Sequence, residues 1–219
     1  MLNVLLPYIL LLALPTASHT PTLVASSIQS TLYQDSTEAS HSLLIPYREE
    51  IESAAHAHGL PAALLAGVIQ EESCFVPWAT RAEPAYARNH TVRRLAARWS
   101  ATHQNTPNAY TELLDRSRSY GLTQVMGETA REQGFAAPYL ASLYLPRNAI
   151  EHGAILLKRL LLRYHDDTLS AISAYNQGSA RKRRGVFRNA QYVYRVTLAW
   201  RAYDALFKTP SVNDGRDGD

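Results

Sequence analysis

Between Leu43 and Lys208 the apolar residues recur in steps of three and four, and no stretch alternates cleanly at period two. Such a chain buries helix faces rather than sheet faces, so the class is all-α. The clearest stripe is Ile150, Ala154, Leu157, Leu161 and Tyr164, which starts just after Pro146 and Arg147. It predicts the longest core helix, with the proline confined to the first turn. Further helices are expected over 46–58, 61–72, 92–101, 127–133, 168–175 and 188–207. The polar stretch 100–107 reads as a loop. Between Phe75 and Arg88 a small irregular or two-stranded segment is allowed, so any β content is at most a minor hairpin.

The two ends differ from this middle. No Lys or Arg precedes Arg48 and no acid precedes Asp35, while Leu5 to Leu14 reads LLPYILLLAL ahead of Pro15, Thr16, Ala17 and Ser18. An apolar run of that length before small residues has the outline of a secretory signal, without the usual basic start. Residues 1–18 are therefore expected to be a signal peptide, cleaved or kept as an anchor. Residues 19–42 turn to Ser, Thr, Gln and Ala and read as a polar linker. A single folded domain is expected over 43–208 and a flexible tail over 209–219. The one cysteine, Cys74, excludes an intramolecular disulfide and any multi-thiolate metal site, and it is expected to pack as a small apolar residue. The 22 Lys and Arg against 19 Asp and Glu leave +3, too mild for a dedicated nucleic-acid binder. The eight histidines show no metal-ligand spacing, and no cofactor is implied.

One acidic residue stands out by its helical phase. In the segment from Pro61 to Ser73, Leu64, Leu65, Val68 and Ile69 form the apolar stripe. At about 100° per residue Glu72 projects within roughly 10° of the stripe's centre, and Glu71 falls about 90° away. A carboxyl group carried toward an apolar core loses solvation of its charged form, which raises its pKa toward that of a general acid. Spacing alone favours a Glu72 that ends its helix at the surface and pairs with an arginine.

Four ordered segments then bear on that choice. They are Ile69-Gln-Glu-Glu-Ser-Cys-Phe-Val-Pro-Trp-Ala-Thr-Arg-Ala-Glu-Pro84, Ser119-Tyr-Gly-Leu-Thr-Gln-Val-Met-Gly127, Ala174-Tyr-Asn-Gln-Gly178 and Tyr192-Val-Tyr-Arg-Val196. Together they resemble the lysozyme-like lytic transglycosylases of the soluble type, related in fold to goose-type lysozyme, with wording closest to a phage-associated branch. The resemblance covers about Pro46 to Tyr203. It implies a lysozyme-like catalytic domain in which Glu72 is the catalytic acid and Ser73 the serine beside it. It also places Tyr120 and Gln124 in the block that lines the sugar-binding cleft, and Tyr175 and Asn176 in the block beside the scissile bond. Thr123 stands where the family usually has Met, and Gln177 where it usually has Ala or Gly. Of Tyr192 and Tyr194, two apart on one helix, only one can face the cleft; Tyr192 is assigned to it and Tyr194 to packing.

The resemblance further implies cleavage of the β-1,4 bond between N-acetylmuramic acid and N-acetylglucosamine in peptidoglycan, leaving a 1,6-anhydro end. Glycosidases ordinarily use two carboxylates; here the substrate's acetamido oxygen would replace one, and Glu72 would act as acid and then base. Glu83 is better read as an ion-pair partner of Arg81 or Arg88. The basic run Arg181 to Arg184, with Arg188, fits either a solvated loop or attraction to an anionic glycan polymer. Asp167 before Thr168 reads as a helix N-cap. The expected partner is peptidoglycan and the expected location periplasmic or secreted. The rival readings are a hydrolytic muramidase on the same scaffold and a non-catalytic glycan-binding component of an envelope-spanning machine.

Overall fold

The computed structural model describes residues 45–208. The expected signal segment, linker and tail lie outside them. Among the described residues nine α-helices carry the fold: α1 (Arg48–His58), α2 (Ala62–Ser73), α3 (Pro84–Ala87), α4 (His90–Thr102), α5 (Ala109–Arg116), α6 (Gly127–Glu132), α7 (Pro146–Arg163), α8 (Thr168–Gln177) and α9 (Ala190–Lys208). A 3-10 turn spans Leu140–Tyr144. At 18 residues α7 is long, as its stripe predicts, but α9 exceeds it with 19. None of these helices is long and apolar enough to cross a membrane.

The core forms around α2. Ala63 through Ile69 are buried on every side of it, the signature of a helix enclosed by others rather than laid on a surface. Helices α1, α7, α8 and α9 supply Ile51, Ile150, Leu157, Ile172 and Val196 to the same cluster. The tightest approach is that of α9. A Cβ placed on Gly67 would sit 2.9 Å from the Trp200 nitrogen and 3.1 Å from the Val196 oxygen, so only glycine lets the two backbones come this close. Gly59, left-handed at φ 60°, ends α1 and turns the chain into α2, whose N-cap is Pro61.

Two short sheets depart from the sequence reading. The segment 75–88 does not pair with itself: it contributes β1 (Thr80–Ala82) and the helix α3, and β1 pairs antiparallel with β2 (Arg118–Tyr120), which pairs with β3 (Val125–Met126). Strands of two or three residues are too short to show an alternation. The exposed run at 181–184 is only partly a loop: Lys182 and Arg183 form β4 (Lys182–Arg183), which pairs with β5 (Val186–Phe187), and Arg184 stands in the turn between them. Asp167 does cap α8, accepting from the Ser170 amide at 3.1 Å and its hydroxyl at 2.6 Å. The loop after α4 is present, although the helix runs on to Thr102.

Helix α5 has no counterpart in the sequence reading. Its buried residues are Glu112, Leu113 and Arg116, and a scan for apolar stripes counts two of those as solvent-facing. The signal that marks it is Asn108, whose side chain accepts from the amides of Tyr110 and Thr111.

Candidate active site

Glu72 lies in the last turn of α2, and its helix phase carries it to the junction with α9. The Tyr192 hydroxyl donates to Glu72 Oε1 at 2.6 Å. Although its side chain keeps some exposure, burial raises the carboxyl to about 7, against the lowering effects of the Tyr192 hydrogen bond and the Arg81 charge; Glu71 adds a smaller upward push. Glu72 is thus a carboxyl that can hold its proton near neutral pH.

The neighbouring carboxylate is dealt with differently. Glu71 is held by Arg195, whose Nε donates to both its oxygens at 2.8 and 2.9 Å and whose Nη2 reaches Oε1 at 2.5 Å. Arg195 is three residues beyond Tyr192, so both reach the end of α2 from the same face of α9. One helix therefore fixes two adjacent glutamates in two ways, one by a phenol and one by a guanidinium. Sequence reasoning missed Arg195, which sits within the quoted Tyr192 to Val196 segment but signals its role only through its i,i+3 relation to Tyr192.

Ser73 turns away from Glu72: its hydroxyl donates to the Leu122 carbonyl at 2.7 Å and to that of Ile69 at 3.2 Å. It ties the end of α2 to the β2–β3 turn. Gln124, left-handed at φ 49°, spends its amide nitrogen on the carbonyls of Ala79 and Gly121, both at 2.9 Å, which clamps β1 to that turn. Tyr175 donates its hydroxyl to the Thr123 carbonyl at 2.9 Å. Its pKa is pushed well up, by burial first and then by the Glu72 charge, so the phenol stays neutral near the acid. Asn176, exposed on α8, accepts from Asn189 Nδ2 at 3.1 Å.

Glu72, Tyr175 and Tyr192 are thus brought together, with Ser73 and Gln124 bracing the loop that Tyr175 touches. Tyr120 is not in this group. It is 2% exposed in a separate cluster with Val125, Phe135 and Leu143, packs edge-on against Tyr144 and donates to the Asp115 carbonyl. The packing expected of two other residues is not found. Tyr194 is 67% exposed rather than packed, because its phase on α9 is opposite to that of Tyr192. Cys74 is exposed rather than buried, as it lies one residue past α2 in a left-handed turn at φ 50°. Glu83 pairs with Arg81 at 2.7 Å, as read from the sequence.

Thr123, the departure from the family wording, is fully buried. Its hydroxyl donates to the Ala149 carbonyl at 2.6 Å, and its methyl lies where a Cβ of Gly153 would be. The smaller residue is accommodated by α7 lying close to the turn, with no polar atom left over. Among the described residues no group of three His, Cys, Asp or Glu side chains could hold a metal ion.

A family model described as the transglycosylase SLT domain matches residues 49–195, more than half of the chain. The chain belongs to that family. Among solved structures, an inactive mutant of the lytic transglycosylase Slt from Pseudomonas aeruginosa matches with a TM-score of 0.52 and 18% identity, over 77% of this chain and 25% of that one. At that identity the match speaks for the fold, and this SLT domain spans about a quarter of that protein's length. A search of curated proteins finds no match.

The Tyr192 hydrogen bond gives a testable effect on this SLT domain's acid. Because it stabilises the ionised carboxyl, Tyr192→Phe is expected to raise the Glu72 pKa further. The alkaline limb of the pH–activity profile then moves to higher pH while activity at the optimum falls modestly. A limb that stays in place, or moves down, would show that the phenol does not act on this carboxyl.

Proposed function

We propose that this chain is a peptidoglycan lytic transglycosylase in which Glu72 is the only carboxyl group doing chemistry. The observation that carries the reading is the contrast between neighbouring acids. Glu72 is held near neutrality by burial, Glu71 is paired with Arg195 and Glu83 with Arg81. A two-carboxylate hydrolase needs a second free carboxylate across the scissile bond, and those two are engaged elsewhere.

In this reading protonated Glu72 donates to the leaving glycosidic oxygen between N-acetylmuramic acid and N-acetylglucosamine. The substrate's own acetamido oxygen attacks the anomeric carbon and closes an oxazolinium ring. Tyr175, whose proton is already given to Thr123, offers only acceptor lone pairs, which suit the acetamido N–H. Asn176 offers an amide to the same group. The ionised Glu72, steadied by Tyr192, then takes the proton of the 6-hydroxyl as that oxygen displaces the acetamido oxygen, giving the 1,6-anhydro end and restoring the acid. No water enters. The apolar N-terminal run supports an exported enzyme, periplasmic or secreted, acting on the wall.

Mass spectrometry of products released from purified sacculi tests the reaction. Anhydro-muropeptides are the expected result. Reducing-end products would overturn it in favour of hydrolysis, and binding to sacculi without turnover would favour a glycan-binding component.

A further inference from the structure

The β4–β5 hairpin carries three arginines for which the fold has no use. Arg183, Arg184 and Arg188 are exposed and make no side-chain hydrogen bond or ion pair among the described residues. Their neighbours differ: Arg181 donates to Ser179 at 3.1 Å, and Lys182 lies over the Phe187 ring at 4.4 Å. Pairing in the hairpin sets Lys182 against Phe187 and Arg183 against Val186, so the two pairs point to opposite faces. Phe187 packs on the main core, whereas Val186 is 60% exposed. Arg183 is therefore on the outward face. Arg184 and Gly185 form the turn, both left-handed at φ 50° and 81°, and a side chain seldom occupies that first position without cost. Like charges crowded at such a turn repel one another and add nothing to stability.

The hairpin is nonetheless rigidly held, and held to the site. Arg188 N donates to the Arg181 carbonyl at 2.9 Å and closes its base. Ala180 N donates to the Tyr164 hydroxyl at 2.9 Å. Asn189, the next residue, bonds the Ser173 carbonyl at 3.0 Å and Asn176 at 3.1 Å, and accepts from the Ser173 hydroxyl at 2.7 Å. These contacts lock the hairpin to the end of α8 that bears Tyr175 and Asn176. At 3.8 Å per step, the Arg188 Cα is at most about 15 Å from that of Tyr192, whose hydroxyl holds Glu72.

We propose that Arg183, Arg184 and Arg188 read the carboxylates of the stem peptides carried by the glycan strand, so that the enzyme takes peptide-bearing strands in preference to bare glycan. The proposal rests on the peptidoglycan reading above. It follows from the charges on that polymer: the sugar backbone, with its lactyl group in amide linkage, is neutral, and the stems supply the carboxylates. Planar guanidinium forks match carboxylates two oxygens at a time, which a lysine cannot do.

The test compares kcat/KM on sacculus-derived strands with that on the same strands freed of their stems by an amidase, the lactyl carboxylate exposed by that hydrolysis then being capped as its methylamide so that the bare strand is neutral. Exposed pairs are worth about two- to fivefold each, so the wild type is expected to prefer peptide-bearing strands by about tenfold or more. That ratio should shrink at high salt. In the triple variant Arg183→Ala, Arg184→Ala, Arg188→Ala the ratio should approach one, and the triple Arg→Lys variant should recover only part of it. A wild type that cleaves both substrates equally overturns the proposal, as does a variant that loses rate on both in the same proportion. If equal cleavage were accompanied by sedimentation on phosphatidylglycerol vesicles, the hairpin would belong to a membrane surface instead. Cleavage of neither substrate by the wild type would mark failure of the underlying reading, a distinct result.

Discussion

Glu72→Gln is expected to abolish turnover on sacculi, with a loss of roughly 10² to 10⁴ in kcat, while making the protein more stable at neutral pH. The first effect follows from removing the proton that the leaving oxygen must receive. The second follows from linkage. Burial raises the folded-state carboxyl from 4.5 to about 7, so between those values the native state binds more protons than the unfolded chain and stability falls as pH rises. Above pH 7 the ionised group costs the fold on the order of 3 kcal/mol; below about pH 4.5 both states are protonated and the cost vanishes. Glutamine is a neutral stand-in that can still accept from Tyr192. Thermal melts should therefore show the variant gaining on the wild type from pH 4 to pH 8, by several degrees at the upper end. Equal melts at all pH values would mean that the carboxyl is not desolvated, and retained turnover would remove Glu72 from the mechanism. The same protonation requirement makes kcat/KM of the wild type decline as pH rises through about 7.

The second large effect is structural and lies in another cluster of side chains. Glu112 is fully buried and accepts from Arg116 Nε at 2.9 Å and from Arg131 Nε at 3.0 Å. Arg116 also donates to Glu128 at 2.8 Å, and the Arg131 guanidinium lies 3.8 Å from the centre of the Trp99 ring. Two acids and two bases close this network, and Arg131 further caps the carbonyls of Phe135 and Ala137, both at 2.7 Å. Glu112→Ala removes the carboxylate that bridges the two guanidinium groups and leaves Arg131 without a carboxylate partner in a dry site, Glu128 serving Arg116 alone. Removing one partner of such a network costs about 3 to 5 kcal/mol, a large part of the 5 to 15 kcal/mol typical of a whole domain. Urea denaturation should show the midpoint fall accordingly. A loss under 1 kcal/mol would mean that water reaches the site and screens it.

The stripe through Ile150 and Leu157 and the phase of Glu72 were both readable because each depends on one helix's own geometry. Residues three and four apart share a face whatever the helix packs against. The Asp167 cap was readable for the same reason: a cap is a contact between neighbours in sequence. Helix α5 was not, since its buried face is half made of Glu112 and Arg116, and charges read as surface until their partners from α6 are known. Strands β1 to β3 were not, since at two or three residues each they exist only by pairing, and β1 meets β2 across nearly 40 positions of chain. Tyr120 lies in the motif block that resembles a sugar-lining segment, yet its ring points into a second core, which only the placement of the 3-10 turn and Tyr144 reveals.

By itself, then, the sequence determined that the chain is helical, that it carries the ordered motifs of its family, and that Glu72 points inward from the end of an apolar helix. These are properties of local spacing and of residue order. Tertiary structure alone decided what surrounds that carboxyl. Gly67 admits α9 to backbone contact, and that approach brings Tyr192 onto Glu72 and Arg195 onto Glu71 from positions 120 and 124 residues away. A pKa is set by solvent exclusion and by charges a few ångströms distant, and no spacing along one chain segment encodes which atoms those will be.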